Sequence, residues 1–313
     1  MINIPDYKRI NVIIDTDAAC EADDPFAIVQ ALLSPKLIVK GIVAEHFNEE
    51  GSVQRSYREI ETILDAMGVK VSIFMGEEKA LKVTDTDIDY TTGTDYENRV
   101  LKRDCSDEKT SEGVDFIIEE ALREEKTYIL CQGAITNVAA AFRKCPEIIK
   151  KVTVIWIGTH GGGEVKAPFR EFNAGNDIVA ANEVLSSGTD LWLVPSDVYT
   201  TINVGLAELK LKVYPYGEIG KHLYENMIEY NMSPNAGWTK GESWSLGDSP
   251  AIALALNPDC GKYVYETAPY INEDTSSSVK YDNPVIRIYK NVDSRYILED
   301  FFAKLQLNYP KRA

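Results

Sequence analysis

The chain has 313 residues, 44% of them hydrophobic, and its 33 basic and 49 acidic side chains give a formal net charge of −16. A chain of this size buries about three quarters of the surface its unfolded form exposes, and this apolar content argues against extensive disorder. So negative a chain repels phosphate backbones and anionic membranes, which argues against a nucleic-acid partner or a basic membrane anchor. Taken from the N-terminus, short apolar runs at residues 11–14, 37–44, 69–74, 127–131, 152–157 and 191–194 predict strands. Helical periodicities separate them at 25–33, 53–67, 111–124, 136–144 and 177–186. This alternation predicts an α/β fold, an open and mainly parallel sheet flanked by helices. Residues 77–109 are polar and rich in Thr, Asp and Tyr, which suits a functional loop or lid with Tyr90 and Tyr96 as its aromatic candidates. Residues 205–248 are helical in pattern but broken around 233–237, and suit an interface or a lid. The tail adds β-prone runs at 263–270 and 285–289 and a last helix at 293–305. No repeat or linker divides the chain, so one domain over residues 1–313 is expected.

No stretch reaches the roughly 18 apolar residues of a membrane span. The first residues lack an apolar signal core, so a cytoplasmic protein is the expectation. Cys20, Cys105, Cys131, Cys145 and Cys260 are scattered without a CxxC pair, the pattern of incidental thiols in a reducing compartment.

The first strand runs into Asp15, Asp17, Glu21, Asp23 and Asp24, five carboxylates within ten residues. Ligands of open parallel sheets bind at the carboxyl ends of strands, and the first β–α turn is a usual place. An Asp-Asp pair before a helix is by itself more often a cap. Five converging anions, however, repel unless a cation or proton neutralises them, so a divalent-metal site is the stronger reading, and oxygen donors suit Ca²⁺ or Mg²⁺. An EF-hand fails, because Cys20 and Phe26 stand where its loop needs Gly and Glu. A Mg²⁺-dependent phosphatase of the haloacid-dehalogenase type fits Asp15-Thr-Asp17, but its later acidic motif at Gly247-Asp248 follows a poor strand.

The segment Asp15-Thr-Asp17…Asp23-Asp24…Ala27 resembles the DxDxxxDDxxAL signature of the inosine–uridine-type nucleoside hydrolases. Further segments agree in order: Gln132-Gly-Ala-Ile-Thr-Asn137 with GPLTN, Ile155-Trp-Ile-Gly-Thr-His-Gly-Gly with a glycine-rich strand end, and Glu171-Phe-Asn173…Asp177 with EFNxxxDP. Val194-Pro-Ser-Asp197-Val resembles VPLDVT and Asp248-Ser-Pro-Ala-Ile-Ala253 resembles HDPLAVA. The ordered set spans about four fifths of the chain, residues 10–256.

This resemblance implies a nucleoside hydrolase-like fold with a Rossmann-like core and calcium-dependent hydrolysis of the N-glycosidic bond of a ribonucleoside or related ribosyl compound, in purine or pyrimidine salvage. It implies that Asp17, Asp24, Asp248 and the backbone carbonyl of Gln132 hold Ca²⁺ and that Asp17 also takes the proton of the attacking water. Asp23, Glu171 and Asn173 would bind ribose hydroxyls, with Asp15 supporting the loop from behind, and the family's habit implies a dimer or tetramer. The chemistry is consistent with this: carboxylates stabilise oxocarbenium character, and a metal lowers the pKa of water.

The sequence also departs from the family pattern. The interval from Asp17 to Asp23 is two residues longer, and Gly247 stands where a histidine precedes the metal Asp. Val165 replaces an asparagine, the His-Gly pair of the long loop is missing, and His46-Phe-Asn48 replaces a GN pair, with Asn48 as the candidate substitute contact. The metal and ribose side is kept and the base side is rewritten, so a non-catalytic nucleoside- or sugar-binding homologue is the alternative. His46 and His160, at predicted strand ends, are candidate leaving-group acids, though satisfied loop histidines are the commoner case. His222 is expected on the surface, and Trp238 and Trp244 either stack on a base or pack. Asn137 is expected to cap the following helix. Cys20, among carboxylates, is expected to have a raised pKa.

Overall fold

The computed structural model describes residues 3–81, 109–123 and 125–312; Tyr90, Tyr96 and Cys105 lie outside the described residues. The chain alternates between β1 (Ile10–Thr16), α1 (Asp24–Leu32), β2 (Leu37–Ala44), α2 (Ser52–Met67), β3 (Ile73–Met75), α3 (Glu112–Ala121), β4 (Thr127–Cys131), α4 (Thr136–Lys144) and β5 (Val152–Ile157). It continues through α5 (Phe172–Asn176), α6 (Ile178–Ser186), β6 (Asp190–Val194), α7 (Ser196–Tyr199), β7 (Asn203–Gly205), α8 (Leu206–Lys212), α9 (Gly217–Asn231), β8 (Ser243–Ser245) and α10 (Ser249–Leu256). The last elements are β9 (Gly261–Thr267), β10 (Tyr270–Ile271), β11 (Ser277–Ser278), β12 (Val285–Val292) and α11 (Ser294–Asn308).

Eight strands form the main sheet in the order β3-β2-β1-β4-β5-β6-β12-β9. All neighbours run parallel except the last pair, in which β9 lies antiparallel to β12 as an edge. Side chains alternate across the sheet, so Val12 and Ile14 join one buried cluster with Phe26 and Ile252, while Ile13 joins the other with Ile117 and Val138. Both faces are therefore covered, as near-continuous apolar strands require. Chain order reverses between β1 and β4: the strand after β1 lies on one side of it and β4 on the other. The crevice above that reversal is where an open α/β sheet offers a ligand site.

The strand expected at 69–74 forms only at Ile73–Met75, because α2 ends on left-handed Gly68 and the Val69 N–H still bonds back to the Leu64 carbonyl of that helix. Residues 243–245, poor in sequence as a strand, do form one, but pair antiparallel with β7 outside the main sheet. The broken segment at 205–248 resolves into α8, α9, a 3-10 turn and β8. None of the described helices is long and apolar enough to cross a membrane.

Candidate active site

A cavity of about 520 Å³ opens at the carboxyl ends of β1, β4 and β5. Asp17, Asp23, Asp24, Gln132, Glu171, Asn173 and Asp248 all line it, so these sequence-predicted residues come together from segments far apart in the chain. Asn48 does not: its side chain is exposed, its backbone is left-handed (φ 62°), and its N–H donates to His46 Nδ1.

Each carboxylate has a distinct anchor. Asp23 and Asp248 occupy N-cap positions, yet neither side chain makes a capping hydrogen bond. Asp23 instead accepts from the Gly247 N–H at 2.8 Å, which ties the first loop to the start of α10. Asp24 accepts from the Thr16 hydroxyl at 2.5 Å. Pro25 and Pro250 start the two helices without wasting a donor. Simple capping does not account for the cluster.

Asp23, Asp24 and Asp248 bring oxygens within 4.8 Å of one another, and Asp17, Cys20 and Asp24 form a second group at the same limit. At that spacing and an effective dielectric near 20, each ionised pair repels by about 3.5 kcal/mol. A few such pairs rival the whole stability of a folded domain, so protons or a cation must offset them. Burial, then the neighbouring carboxylates, holds Asp17, Asp23 and Asp248 well above the usual carboxylate range. Burial pushes Asp24 up to about 6, with the Thr16 hydrogen bond opposing it. Both carboxylate oxygens of Asp17 are buried and have no hydrogen-bond partner. An orphaned buried carboxylate beside two others is what an oxygen-liganded cation would complete. Cys20 is a poor ligand, because burial and the surrounding carboxylates push its thiol up and keep it protonated.

The facing wall is Glu171 and Asn173. Glu171 caps α5 by accepting from Ala174 N–H at 2.8 Å, and also accepts from Thr159 N–H at 2.9 Å and the Tyr199 hydroxyl at 3.0 Å. Asn173 Nδ2 donates to the carbonyls of Gln132 and Ile157, each at 2.9 Å, which leaves Oδ1 outside these bonds. The Gln132 carbonyl thus already accepts one bond, and its second lone pair is the one available to a metal. Both polar atoms of the Gln132 side chain are buried without partners.

Behind the cavity, Asp15 accepts from Asn137 Nδ2 at 2.8 Å, and Asn137 Oδ1 accepts from Glu77 N–H at 2.7 Å. Asn137 therefore cross-ties loops and does not cap α4. Glu45, at the end of β2, accepts from Thr136 N–H at 2.8 Å and packs so close to Gly133 that a Cβ there would sit 2.5 Å from its carboxylate. Neither strand-end histidine lines the cavity. The Thr136 hydroxyl donates to Asp177, so His46 Nε2 must donate to Thr136, while Nδ1 accepts from Asn48 N–H. The buried imidazole is thus fixed neutral, and burial lowers its pKa to about 4. His160 is held between Ser196 and the Phe169 carbonyl, and its ring meets Phe169 edge-on at 4.9 Å. His222 is half-buried at the surface and bonds Glu59 of α2 at 2.6 Å.

The remaining wall is aromatic: Phe169, Phe172, Trp238, Trp244 and Tyr199. Trp244 is buried against Tyr230 and Trp238, whereas Trp238 is 58% exposed at the rim. The longer loop at 18–22 turns on a Cys20 N–H to Asp17 carbonyl bond of 2.8 Å and carries Cys20 and Glu21 into the cavity. Burial and the charges of Asp24 and Glu171 push Glu21 up to about 7. At Gly247, a Cβ would come within 3.2 Å of both Asp23 Oδ2 and the Tyr199 ring, so the space beside it is already filled. Sequence reasoning did not single out Tyr199, Phe169, Phe172 or Glu45. Only Glu45 left a signal, a carboxylate one residue past an apolar strand, as Asp15 nearly is past its own.

The model of the inosine-uridine preferring nucleoside hydrolase family matches residues 12–295. A fission-yeast protein of uncharacterised function is 31% identical over 197 residues, 60% of this chain and 62% of that protein, so the match spans less than two thirds of the relative. A pyrimidine-specific ribonucleoside hydrolase of Citrobacter koseri is 28% identical over 246 residues, 76% of this chain and 77% of the enzyme. Among solved structures, a purine-preferring ribonucleoside hydrolase from Gardnerella vaginalis superposes with a TM-score of 0.75 at 21% identity, over 95% of this chain and 98% of that one. A plant nucleoside hydrolase superposes with a TM-score of 0.74 at 22% identity, over 95% and 98%. The phosphatase alternative falls with these matches, and with the position of β8 outside the parallel sheet.

Proposed function

The chain belongs to the inosine-uridine preferring nucleoside hydrolase family, and from that premise we propose that it cleaves the N-glycosidic bond of a ribonucleoside or related ribosyl compound with the help of bound Ca²⁺. The observation that carries the reading is the orphaned Asp17 carboxylate, buried in the cavity among Asp23, Asp24 and Asp248. Asp17, Asp24, Asp248 and the Gln132 carbonyl would hold the cation, an all-oxygen set of the kind Ca²⁺ takes. When bound, the cation offsets the clustered negative charge and acidifies water.

Asp17 takes the proton of the water that attacks the anomeric carbon. Asp23, Glu171 and Asn173 hold ribose hydroxyls, and the tethers from Gly247, Thr159, Ala174 and Gln132 keep those three side chains in place before substrate arrives. The buried carboxylates favour the positive character that develops on the ribosyl ring. The aromatic wall receives the base. The reading takes the protein as a cytoplasmic salvage enzyme and residues 1–313 as one domain, the latter supported by a single main sheet whose strands run from β1 to β12 along the chain.

Ribose release from a panel of purine and pyrimidine nucleosides, with Ca²⁺ and after chelation, tests this. Chelator-sensitive ribose is the expected result; ribose release that chelation leaves untouched would refute the metal-assisted mechanism. A second reading, binding without turnover, is favoured by one observation: among the described residues no imidazole lines the cavity to protonate the leaving base. Nucleoside binding by calorimetry with no product after long incubation is its signature.

A further inference from the structure

Among the described residues no strand pairs with the outer edge of β9, and the sequence of β9 is nearly its own complement. The strand reads Gly261-Lys-Tyr-Val264-Tyr-Glu-Thr267, so Tyr263 and Tyr265 stand one residue either side of Val264, and Lys262 and Glu266 two residues either side. Among the described residues β9 pairs only with β12, at the end of the sheet, and its middle residues are exposed on both faces. Tyr265 is 63% exposed, Val264 38% and Tyr263 36%. A long exposed edge without proline is a liability that folded proteins usually blunt.

The backbone fixes which groups are free. Lys262 N–H donates to Asn291 Oδ1 at 3.0 Å, Ala268 N–H to the Pro284 carbonyl at 2.9 Å, and the Cys260 carbonyl accepts from Asp293 N–H at 2.7 Å. Even-numbered groups therefore face β12, and by the alternation of a strand the N–H and C=O groups of 261, 263, 265 and 267 face outward.

We propose that β9 pairs antiparallel with β9 of a second copy of this chain about a two-fold axis through Val264, joining two eight-stranded sheets into one. In that register Tyr263 faces Tyr265 of the second copy, and Gly261 faces Thr267, so every facing pair of outward backbone groups exchanges both hydrogen bonds. Lys262 faces Glu266 of the second copy at a non-hydrogen-bonded position, where side chains approach most closely, and opposite charges there are favourable. The same axis places both tyrosine pairs on the face where Arg287 already stacks 4.2 Å from the Tyr263 ring and 4.0 Å from Trp192. An isologous contact of this kind closes on itself and does not propagate into fibres. A shift of register by one residue would set inward groups against outward ones and lose the charge pairs. This inference rests on the fold and its edge, not on the proposed chemistry of the cavity.

Sedimentation of the full chain, with three variants, is the test. The unsubstituted chain is expected to sediment as a dimer or an even-numbered oligomer. Tyr265→Pro removes an outward N–H and none of the bonds to β12, and should halve the particle mass. Lys262→Glu and Glu266→Lys each set like charges face to face at both ends of the joint and should weaken association on the order of tenfold. Mixing those two variants restores opposite charges at both positions, so a heterodimer that is tighter than either homodimer is expected even if the proline variant fails to fold. A monomeric parent chain would overturn the proposal, as would an oligomer indifferent to the charge variants or a mixture that forms no preferred heterodimer.

Discussion

On the carboxylate wall of the cavity, side chains are buried and tethered: Asp23 to Gly247, Asp24 to Thr16, Glu171 to two backbone N–H groups and a tyrosine, Asn173 to two carbonyls. On the aromatic wall, Phe169, Phe172 and Trp238 are exposed; Phe169 rests edge-on against His160 and Trp238 against Trp244. Under the proposed function the difference gives each wall its own task. Directional bonds fix groups that must meet charge and hydroxyls within tenths of an ångström, whereas a flat apolar surface accepts a base by area and tolerates variety.

The contrast can be broken most severely at Asp17. Asp17→Asn keeps the shape but removes a cation ligand and the proton acceptor, so turnover should fall by about 10²–10⁴-fold. Calorimetry should lose the Ca²⁺ isotherm at the same time, and a variant with unimpaired kcat would remove Asp17 from the chemistry. Next in size is the effect of the cation on stability. At a hundredfold excess over its Kd a bound ion stabilises by about 2.7 kcal/mol, so the thermal midpoint should drop on chelation and recover on adding Ca²⁺.

The pH response of the chelated protein sharpens the same wall. Asp24 has its carboxyl raised from 3.8 to about 6 in the folded chain, so the folded state binds its proton more tightly than the unfolded state does. That contribution is complete below about 3.8 and is lost as pH rises through about 6. Chelated protein should therefore lose stability over this interval in denaturant titrations, and Ca²⁺ should flatten the slope by replacing the protons.

The aromatic wall should respond more weakly and in a different constant. Trp238→Ala removes one exposed ring, so KM should rise roughly 2–10-fold with kcat nearly unchanged and stability within about 0.5 kcal/mol. A large loss of kcat would mean that the ring orients the sugar, not the base. Smallest of all, Asn48→Ala should leave kcat/KM unaltered, because Asn48 lies outside the cavity.

Much of the carboxylate wall was legible in the sequence because its residues sit in runs. Asp17, Asp23 and Asp24 follow one apolar strand, Glu171 and Asn173 share a turn, and charge crowded into ten residues demands a neutralising partner. The strand-end histidines were ambiguous for the opposite reason: satisfied loop positions were the commoner expectation for His46 and His160, and the structure shows them, but a residue's place along the strand does not say whether its ring turns toward the crevice or under it. Thr136 and Ser196, 90 and 36 residues away from them, settle that. Asn137 had the position of a cap and was drawn off by Asp15 and residue 77, partners that no local pattern reveals.

The amino-acid sequence alone determined the alternating α/β architecture, because apolar period and turn chemistry are local properties. It also determined that a cluster of carboxylates in need of neutralisation, by protons or a cation, follows the first strand, because like charges that close in the chain repel in any fold. Only the tertiary structure decided which carboxylates face one another, why glycine stands at 247, and that His46 is locked neutral. Those outcomes depend on groups brought together across the sheet, where a contact 224 residues long such as Asp23 with Gly247 is set by packing and not by sequence neighbours.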